Sequence, residues 1–520
     1  MLTLRRAATA EVVEPALDAV QQTVVDWRGS GVLRVLGAPG TGKTTVAVEL
    51  VAAQVADGLR PEQCLVLAAS RRGAARLRDR VTARVGGTST EPLARTFPSF
   101  GFGVLRAAAA LAGDEAPRLL SGPEQDVVLR ELLAGHASGE TPGPRWPERV
   151  RLALPTRAFR AELRDLLMRA VELGLGADDL ERLGHEHDRE EWVAGADLLR
   201  EYDEVTALLT PGGFDPAQIL GAAAGALDGD PALADAVTSA LRLVVVDDAQ
   251  EMTPAALRLL DVLRRVAPAA GTVLLGDPDS ATQTFRGGDP ALLAREWAVL
   301  GDGPTLVLPR SHRLPERLLH VTGAVAGHVG VLGDVSHRRT EPAAPGGDVE
   351  VHLLRSASQE AGFVAARLRA AHLLDGVSWA DMAVVVRGQA RSAALRRALQ
   401  SAGVPVSAAE AELPVRDEPA VRPLLSLLQV VIDLGLRRTQ DVPVDTALDV
   451  LVSPLGAADP VELRRLRRAL RRDELDAGGS RTSDELLAEV LLRPAVHDRL
   501  GIEGRSVQRV GRMIRAGVAA

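Results

Sequence analysis

Five short runs of aliphatic residues divide the chain, and each run ends at polar or glycine-rich sequence. Fully apolar runs of this length are typical of parallel strands buried on both faces, and polar residues at their carboxyl ends are typical of a ligand crevice. Two runs precede residue 100 and three follow residue 240. The pattern predicts a parallel sheet built from two separated parts of the chain, with strands at residues 32–36, 65–68, 243–246, 273–275 and 306–308.

Helical periodicity fills the intervening residues, most clearly in AFRAELRDLLMRAVELGL, which predicts a helical insertion in the sheet. The Gly- and Pro-rich sequence that ends at residue 348 indicates a linker. A second α/β unit is then predicted, with strands at VEVHLLR (349–355) and MAVVVRG (382–388) and a helix at about 361–372. From about residue 421 the pattern is helical again, and VELRRLRRALRRDEL is basic on one side.

Composition limits the class of protein. A chain of 520 residues allows roughly three or four domains of about 100–200 residues. The net charge of −8 gives no overall basic field, but a basic cleft on an acidic body still allows DNA binding. Cys64 is the only cysteine, which excludes an intrachain disulfide and fits a reducing cytoplasm. The sequence shows neither a signal peptide nor an apolar run of about 18 residues, so we expect a cytoplasmic protein without a membrane partner.

Lys43 is the only lysine, although Lys and Arg together number 61. It lies in GAPGTGKTT, where the spacing of Gly37, Gly42, Lys43 and Thr44 matches the P-loop pattern. A P-loop cradles phosphates with backbone N–H groups, its lysine reaches the β- and γ-phosphates, and its hydroxyl binds Mg²⁺. A glycine-rich turn without function is the alternative, but the flanking strand and helix favour ATP. The predicted loop is Gly37, Ala38, Pro39, Gly40, Thr41, Gly42, Lys43, Thr44 and Thr45.

Two further clusters carry chemistry. In LVVVDDAQE an apolar strand ends at two carboxylates, and we predict that Asp247 holds Mg²⁺ and Asp248 orients the attacking water. The alternative is a helix N-cap, which the P-loop upstream makes less attractive. In LLGDPDSATQTFRGGDP, Phe285 and Arg286 suit base stacking and phosphate contact with single-stranded nucleic acid. A buried Phe beside a surface Arg is the alternative.

The order and spacing of these motifs resemble the UvrD/Rep/PcrA-type DNA helicases of superfamily one. The likeness also rests on LDAVQQTVV, LVLAASRRGAARLRDRV, ARTFPSFGFGVLR, GGFDPAQIL, LVLPRSHRLPERLL and DMAVVVRGQARSAALRRALQSAGVPV. It implies an α/β, P-loop RecA-like motor domain (1–110 and 206–312) with a helical insertion (111–205). It also implies the start of a second RecA-like domain (313–420) and part of its insertion (421–520).

The resemblance implies site residues as well. Adenine would be contacted by Gln21 and His312, the ATP phosphates by Arg313 as an arginine finger, and DNA by Ser70, Arg71, Thr96 and Phe97. Gln250 and Ser280 would complete the nucleotide site. Asp248 stands where that family has glutamate, and Ser280 where it has a γ-phosphate-sensing glutamine. The family activity is ATP-dependent, 3′-to-5′ translocation on single-stranded DNA. The substitutions leave an alternative, a DNA-guiding subunit whose motor binds ATP without driving movement.

A narrower resemblance points to the A-type subunit of the actinobacterial Adn helicase–nucleases, through the TFPSFGFGVLR wording and the substitutions above. It implies double-strand break repair, duplex-end DNA as a substrate and a heterodimer with a second helicase–nuclease subunit. The later helicase motif H-x-x-K-G-L-E-W does not occur in the chain, which has no lysine after Lys43. We therefore expect the chain to be the N-terminal portion of a longer protein.

Overall fold

The computed structural model describes residues 15–86, 93–139, 141–294, 299–301, 303–407, 421–493 and 504–519. Two compact units divide the chain, residues 1–350 and residues 351–520. The first contains the sheet and all the predicted nucleotide- and DNA-binding residues. The functional domain boundaries inside these units stay a prediction.

A six-stranded parallel sheet forms the centre of the first unit, in the spatial order β3-β2-β6-β7-β1-β8. Its strands are β1 Val32–Leu36, β2 Cys64–Ala68, β3 Ala94–Thr96, β6 Leu243–Asp247, β7 Gly271–Gly276 and β8 Thr305–Val307. All five predicted strands are confirmed to within one or two residues. The parallel sheet interrupted by helices confirms the α/β, RecA-like fold class.

The four central strands, β1, β2, β6 and β7, owe their position to side chains that are buried on both faces of the sheet. Successive residues point to opposite faces. Leu33 and Val35 of β1 therefore pack in one cluster, whereas Val32 and Leu36 pack in the other. Burying each such side chain contributes about 1.5–3 kcal/mol relative to exposure. The sheet is the middle of three layers.

Helices cover both faces. The cluster below one face includes residues of α1–α3, and the cluster on the other includes residues of α4, α10 and α12. The helices of the first unit are α1 Ala19–Val25, α2 Lys43–Ala56, α3 Arg71–Val85, α4 Phe97–Ala112, α5 Gly122–Ser138, α6 Glu148–Arg151, α7 Arg157–Leu173, α8 Ala177–Glu186, α9 Glu190–Leu209, α10 Gln218–Gly229, α11 Pro231–Thr238, α12 Pro254–Val266, α13 Ala291–Ala294 and α14 Glu316–Ala326.

Helices α5 to α9 lie in the part of the chain where the helical insertion is predicted. They surround a separate core that includes Leu133, Leu167 and Tyr202. Helix α7 begins at the cap residue Thr156, whose hydroxyl accepts from Phe159 N, and ends before Gly174 in the left-handed conformation. The strands β4 Arg118–Leu119 and β5 Gly213–Phe214 pair in parallel at the two ends of the insertion.

The Gly- and Pro-rich sequence predicted as a linker lies at the end of the first unit and is hydrogen-bonded to the segment after β8. Backbone hydrogen bonds join Glu341 N to Pro309 O (2.8 Å), Ala343 N to Leu314 O (2.9 Å) and Arg317 N to Gly346 O (2.9 Å). Glycine and proline therefore serve here to turn the backbone along the segment that follows β8.

The regular secondary structure described in the second unit is helical. The helices are α15 Ala357–Leu373, α16 Gln389–Ser401, α17 Arg422–Gly435, α18 Val444–Val452, α19 Pro460–Asp476, α20 Ser483–Val490 and α21 Arg505–Ala519. Helices α17 to α21 share one core that includes Leu451, Leu466 and Val507. The helix predicted at 361–372 is confirmed by α15.

The strands predicted at 349–355 and 382–388 are not formed, and this prediction was wrong. No strand is assigned among the described residues of the second unit. Leu353 is 97% exposed and Val385 is 93% exposed. An apolar run becomes a strand only where a neighbour completes the backbone hydrogen bonds and covers its side chains, and neither side chain is covered here.

Candidate functional site

The carboxyl ends of the parallel strands bring most of the predicted site to one edge of the sheet. In the register of the sheet, Leu36 lies beside Gly276 and Ala68 beside Asp247. The residues that follow these strands, among them Gly37 and Asp277, therefore meet at this edge. This is the position where open parallel sheets bind ligands.

The P-loop runs from β1 into α2, with Gly40 at φ +84° and Gly42 at φ +87°. These left-handed conformations are costly for residues with a Cβ, and they let the loop close at the first turn of α2. A Cβ at Gly42 would lie 2.6 Å from Nε2 of Gln21. The free backbone N–H groups and positive end of the helix dipole make such a turn an anion site.

Lys43 lies under this loop and not in open solvent. Its Nζ donates to the carbonyl oxygens of Gly37 (2.6 Å) and Ala38 (3.2 Å). Burial lowers the pKa of Lys43, while the carboxylates of Asp277, Asp248 and Asp247 oppose that shift. A compact ammonium fits this space, whereas the wide planar guanidinium of arginine does not. The geometry explains why lysine is kept at this single position.

Thr44 and Asp247 form the predicted metal pair. The Thr44 hydroxyl donates to Oδ2 of Asp247 at 2.8 Å. Asp247 is 4% exposed, and its Oδ1 has no hydrogen-bond partner among the described residues. Burial, with Asp248 adding to it, raises the pKa of Asp247 to about 6. A buried carboxylate oxygen without a donor is costly, so these residues fit a hard divalent cation such as Mg²⁺.

Asp248 holds a left-handed backbone conformation, with φ 56° and ψ 46°. This conformation is uncommon outside glycine, and strained residues of this kind cluster at active sites. Nε2 of Gln250 donates to Oδ1 of Asp248 at 3.3 Å, and Oε1 of Gln250 accepts from the backbone of Asp277 at 3.1 Å. Gln250 is buried, and its amide joins the ends of β6 and β7.

The segment after β8 brings Arg313 to the P-loop. His312 N donates to Gly40 O at 2.8 Å, and the buried Ser311 hydroxyl donates to Pro39 O at 3.2 Å. Arg313 is exposed, and its positive charge contributes to the lowered pKa of Lys43. Two residues predicted from distant motifs thus lie within electrostatic range of each other.

Gln21 and His312 meet through a residue that sequence reasoning missed. Gln21 is 3% exposed, its Nε2 donates to Thr41 O at 3.0 Å, and its Oε1 accepts from Asp18 N at 3.0 Å. Asp18 caps α1, and its Oδ2 lies 3.2 Å from Nε2 of His312. The Asp-x-x-Gln spacing of a capping box is the signal that could have identified Asp18.

Ser280, the predicted phosphate sensor, bonds within the chain. Its hydroxyl donates to Oδ2 of Asp277 at 2.5 Å, and Asp277 is 1% exposed. The next carboxylate, Asp279, accepts two hydrogen bonds from Arg338 (2.7 and 2.6 Å) and lies 2.9 Å from Nε2 of His337. No short motif in the sequence announces this cluster, because its halves are about sixty residues apart.

The predicted DNA residues divide into exposed and buried ones. Phe285 is 69% exposed, and the Arg286 guanidinium carbon lies 5.2 Å from its ring centroid. The alternative of a buried Phe285 was wrong. Phe97 is 6% exposed in the core, so its side chain is not available to DNA, and that prediction is corrected.

Three predicted residues lie at helix starts. Ser70 caps α3 by accepting from Gly73 N at 3.0 Å, and Thr96 caps α4 by accepting from Ser99 N at 3.3 Å. Arg71 is the exposed first residue of α3. Ser70 comes just after β2 and Thr96 is the last residue of β3, so both lie at the carboxyl ends of strands, as the P-loop does. Thr45 is the third residue of α2, and its hydroxyl accepts from Arg80 at 3.0 Å.

No helix in the described ranges is both long and apolar enough to cross a membrane.

Comparisons with known proteins place this geometry in a family. The family model described as the UvrD/REP helicase N-terminal domain matches residues 17–296. The chain is 25% identical over 455 residues to the ATP-dependent DNA helicase UvrD1 of Mycobacterium tuberculosis, covering 84% of this chain and 55% of that protein. It is 24% identical over 452 residues to UvrD2 of the same organism, covering 84% and 61%. The chain therefore spans a little over half the length of these curated relatives.

Proposed function

Because the chain belongs to the UvrD/REP helicase family, we propose that it acts as an ATP-dependent DNA helicase or translocase. The observation that carries this proposal is the meeting of Lys43, Asp247 and Arg313 at one edge of the sheet. Phosphoryl transfer from ATP to water needs positioning and charge neutralisation more than covalent chemistry, and these residues supply both.

The position of each residue in the site suggests its role in ATP hydrolysis. Lys43 would neutralise the β- and γ-phosphates, Asp248 would orient the attacking water, and Arg313 would neutralise charge that develops at the γ-phosphate. Thr44 and Asp247 would hold Mg²⁺, which would supply positive charge to offset that of the phosphates. Gln21 and His312 would contact the base. We propose single-stranded DNA as the partner of Phe285 and Arg286, with Ser70, Arg71 and Thr96 on the backbone.

The test is ATP hydrolysis with and without single-stranded DNA. We expect DNA to stimulate the rate, and Lys43→Ala to abolish hydrolysis. Lys43→Arg would not rescue it, because the guanidinium does not fit beneath the loop. A matched control is Arg28→Ala, an exposed cation paired with Asp57 away from the loop. ATP binding without any DNA-stimulated hydrolysis in the full-length wild-type protein would overturn the motor function.

An alternative is a subunit that binds ATP and guides DNA without moving along it. It is favoured by one observation, that the hydroxyl of Ser280 is already engaged by Asp277 at 2.5 Å. Sensing the γ-phosphate would require this short side chain to exchange its partner. The alternative predicts that Lys43→Ala leaves the ATP hydrolysis of a partner motor unaffected.

We further propose 3′-to-5′ polarity, action at double-strand breaks, a heterodimer with a second helicase–nuclease subunit, and a cytoplasmic location. The likeness of TFPSFGFGVLR and the motif substitutions to A-type Adn subunits supports action at breaks and the heterodimer. The polarity rests on the likeness to UvrD/Rep/PcrA-type helicases, and the location on the single cysteine, which fits a reducing compartment. Displacement of strands with single 3′ or 5′ tails tests polarity. Co-purification with a B-type subunit tests the heterodimer, and a chain that stays monomeric beside that subunit contradicts it.

A further inference from the structure

The exposed Phe285 sits on a short loop, residues 282–287, which we call the Phe285 loop. Its internal hydrogen bonds run from Arg286 N to Gln283 O (2.8 Å) and from Gly287 N to Thr284 O (3.1 Å). These bonds shape a single turn, but they do not fix the turn to the rest of the protein. A ring that is 69% exposed gains little from packing. Its orientation therefore depends on what holds the two ends of the loop.

Glu251 holds the first end. One carboxylate oxygen accepts from both the backbone N–H (2.7 Å) and the hydroxyl (2.8 Å) of Thr282, and the other accepts from Gln283 N at 2.7 Å. Hydrogen bonds to an ionised acceptor are about twice as strong as neutral ones. Glu251 ends the short turn Ala249–Glu251 that directly follows Asp248. The loop is thus fastened to the backbone that carries the proposed hydrolysis residue.

Arg169 holds the second end, from helix α7 of the insertion. Its Nη2 donates to Phe285 O at 3.1 Å, while its Nη1 donates to Glu172 at 2.5 Å. Gly287 leaves room for this approach, because a Cβ there would lie 2.4 Å from Nη1 of Arg169. Gly287 also has φ +83°, a conformation that favours glycine. The insertion therefore touches the loop at the carbonyl of the stacking residue itself.

We propose that Glu251 and Arg169 are positioning residues that hold the Phe285 loop in its DNA-binding conformation. Neither side chain is placed to stack on a base, so both act through Phe285. Pre-ordering an exposed ring removes part of the entropy cost of binding. Because Glu251 follows Asp248 by three residues, it also joins the nucleotide site to the DNA contact. The inference rests on the proposed function only in its DNA part.

The loop itself can be tested without DNA, by amide hydrogen exchange over residues 279–290. We expect Glu251→Gln, which replaces one acceptor oxygen by a donor, to speed exchange at Thr282 or Gln283 by about tenfold or more. Arg169→Ala should speed exchange at residues 285–287. Arg169→Lys should resemble it, because lysine lacks the fork that reaches two acceptors. The control is Arg164→Ala on the same helix, a half-buried arginine whose side chain lies 3.5 Å from Asp165. Wild-type exchange in Glu251→Gln and in both Arg169 variants would overturn the proposal.

The DNA part is tested with a single-stranded oligonucleotide that carries 2-aminopurine, whose fluorescence falls when the base stacks. Phe285→Ala should weaken binding about 5- to 150-fold, the range for one base–aromatic stack. Glu251→Gln and Arg169→Ala should each weaken it about 3- to 30-fold and reduce the quenching. Added to Phe285→Ala, neither should weaken it further by more than about twofold. Losses that simply add to that of Phe285→Ala would overturn the positioning role. A wild-type chain that binds no single-stranded DNA would overturn the proposed function, while the exchange data would still decide the loop.

Discussion

The hydroxyl of Thr44 donates a 2.8 Å hydrogen bond to Oδ2 of Asp247, which is 203 residues later in the chain. The bond joins the first turn of α2 to the end of β6. It leaves Oδ1 of Asp247 buried and without a donor among the described residues. One carboxylate oxygen of Asp247 is therefore hydrogen-bonded and the other is buried without a partner, and a bound cation would supply that partner.

Removing the Thr44 hydroxyl should lower ATP hydrolysis and leave the fold intact. We expect Thr44→Val, which keeps the shape, to lower Mg²⁺-dependent ATP hydrolysis by about 10²–10³, the usual effect of losing one transition-state contact. Thr44→Ser keeps the hydroxyl and should retain most of the activity. The measurement is the steady-state rate against Mg²⁺ concentration for all three proteins. Equal rates for the Val and Ser variants would show that the hydroxyl does not hold the metal.

The pKa of Asp247, raised to about 6 chiefly by burial, gives stability a defined pH dependence. The folded chain binds this proton more tightly than the unfolded chain, whose aspartate titrates near pH 4. The free energy of unfolding therefore falls as pH rises through about 4 to 6. Asp247→Asn removes this loss and, in metal-free buffer, should be more stable than wild type by about 2–3 kcal/mol at neutral pH.

Chemical denaturation near pH 4.5 and pH 7.5 measures this effect. The stability advantage of Asp247→Asn should be smaller near pH 4.5, because the Asp247 carboxyl of the folded wild type is already protonated there. Adding Mg²⁺ at about pH 7.5 should stabilise wild type and not the variant, because the metal needs the carboxylate. A constant difference at both pH values would contradict the raised pKa.

Arg313 is exposed beside the P-loop, and its charge contributes to the lowered pKa of Lys43. We expect Arg313→Ala to reduce kcat for ATP hydrolysis by about 10³ or more, as for other arginines that act on the γ-phosphate. ATP affinity should change far less, because the loop and Lys43 remain. Arg313→Lys should rescue little. Arg317→Ala, a nearby exposed arginine of α14, serves as the control. A change in KM with kcat unchanged would mean that Arg313 only binds the ground state.

The ion pair of Arg338 with Asp279 should stabilise the first unit. Burial alone would raise the pKa of Asp279, but hydrogen bonds from Arg338 and His337 lower it. A lowered carboxyl pKa gives stability above the unfolded value near pH 4 that is lost as pH falls further. Arg338→Ala should cost about 1–3 kcal/mol in urea unfolding near neutral pH.

The neighbouring exposed Arg339→Ala is the matched control for this prediction. The difference in unfolding free energy between the two variants should narrow as pH falls below the unfolded value near 4, because the lowered pKa of Asp279 is then approached and its carboxylate becomes protonated. A loss in Arg338→Ala that does not depend on pH would assign its effect to packing, not to the ion pair.

Much of the first unit could be predicted because its signals are local. Strands such as β6 are continuous apolar runs, and the P-loop is nine consecutive residues. Strand β3 was missed because Ala94–Thr96 carries only one aliphatic side chain and is placed by pairing with β2. The runs at 349–355 and 382–388 have the same local pattern as true strands. Their failure shows that partners, not composition, decide whether such a run pairs.

The site divides in the same way. Lys43, Thr44 and Asp247 are recognisable because their spacing follows from the chemistry of phosphate and metal. Glu251, Asp279 and Arg169 are not, since each acts on a residue in another motif or element. Phe97 was misassigned because a motif position shows which residue is kept and not whether its side chain faces the core. Contacts between elements need the fold before they can be stated.

Strands β4 and β5 run side by side, with Arg118 opposite Gly213. The two ends of the helical insertion are thus only one strand spacing apart. Because its ends are so close, such an insertion can change in length during evolution without displacing the strands of the sheet. Yet this insertion carries Arg169, which donates a hydrogen bond to the backbone carbonyl of Phe285. Replacement of the insertion would therefore change the affinity for a nucleic acid strand and leave the residues of the ATP site unchanged.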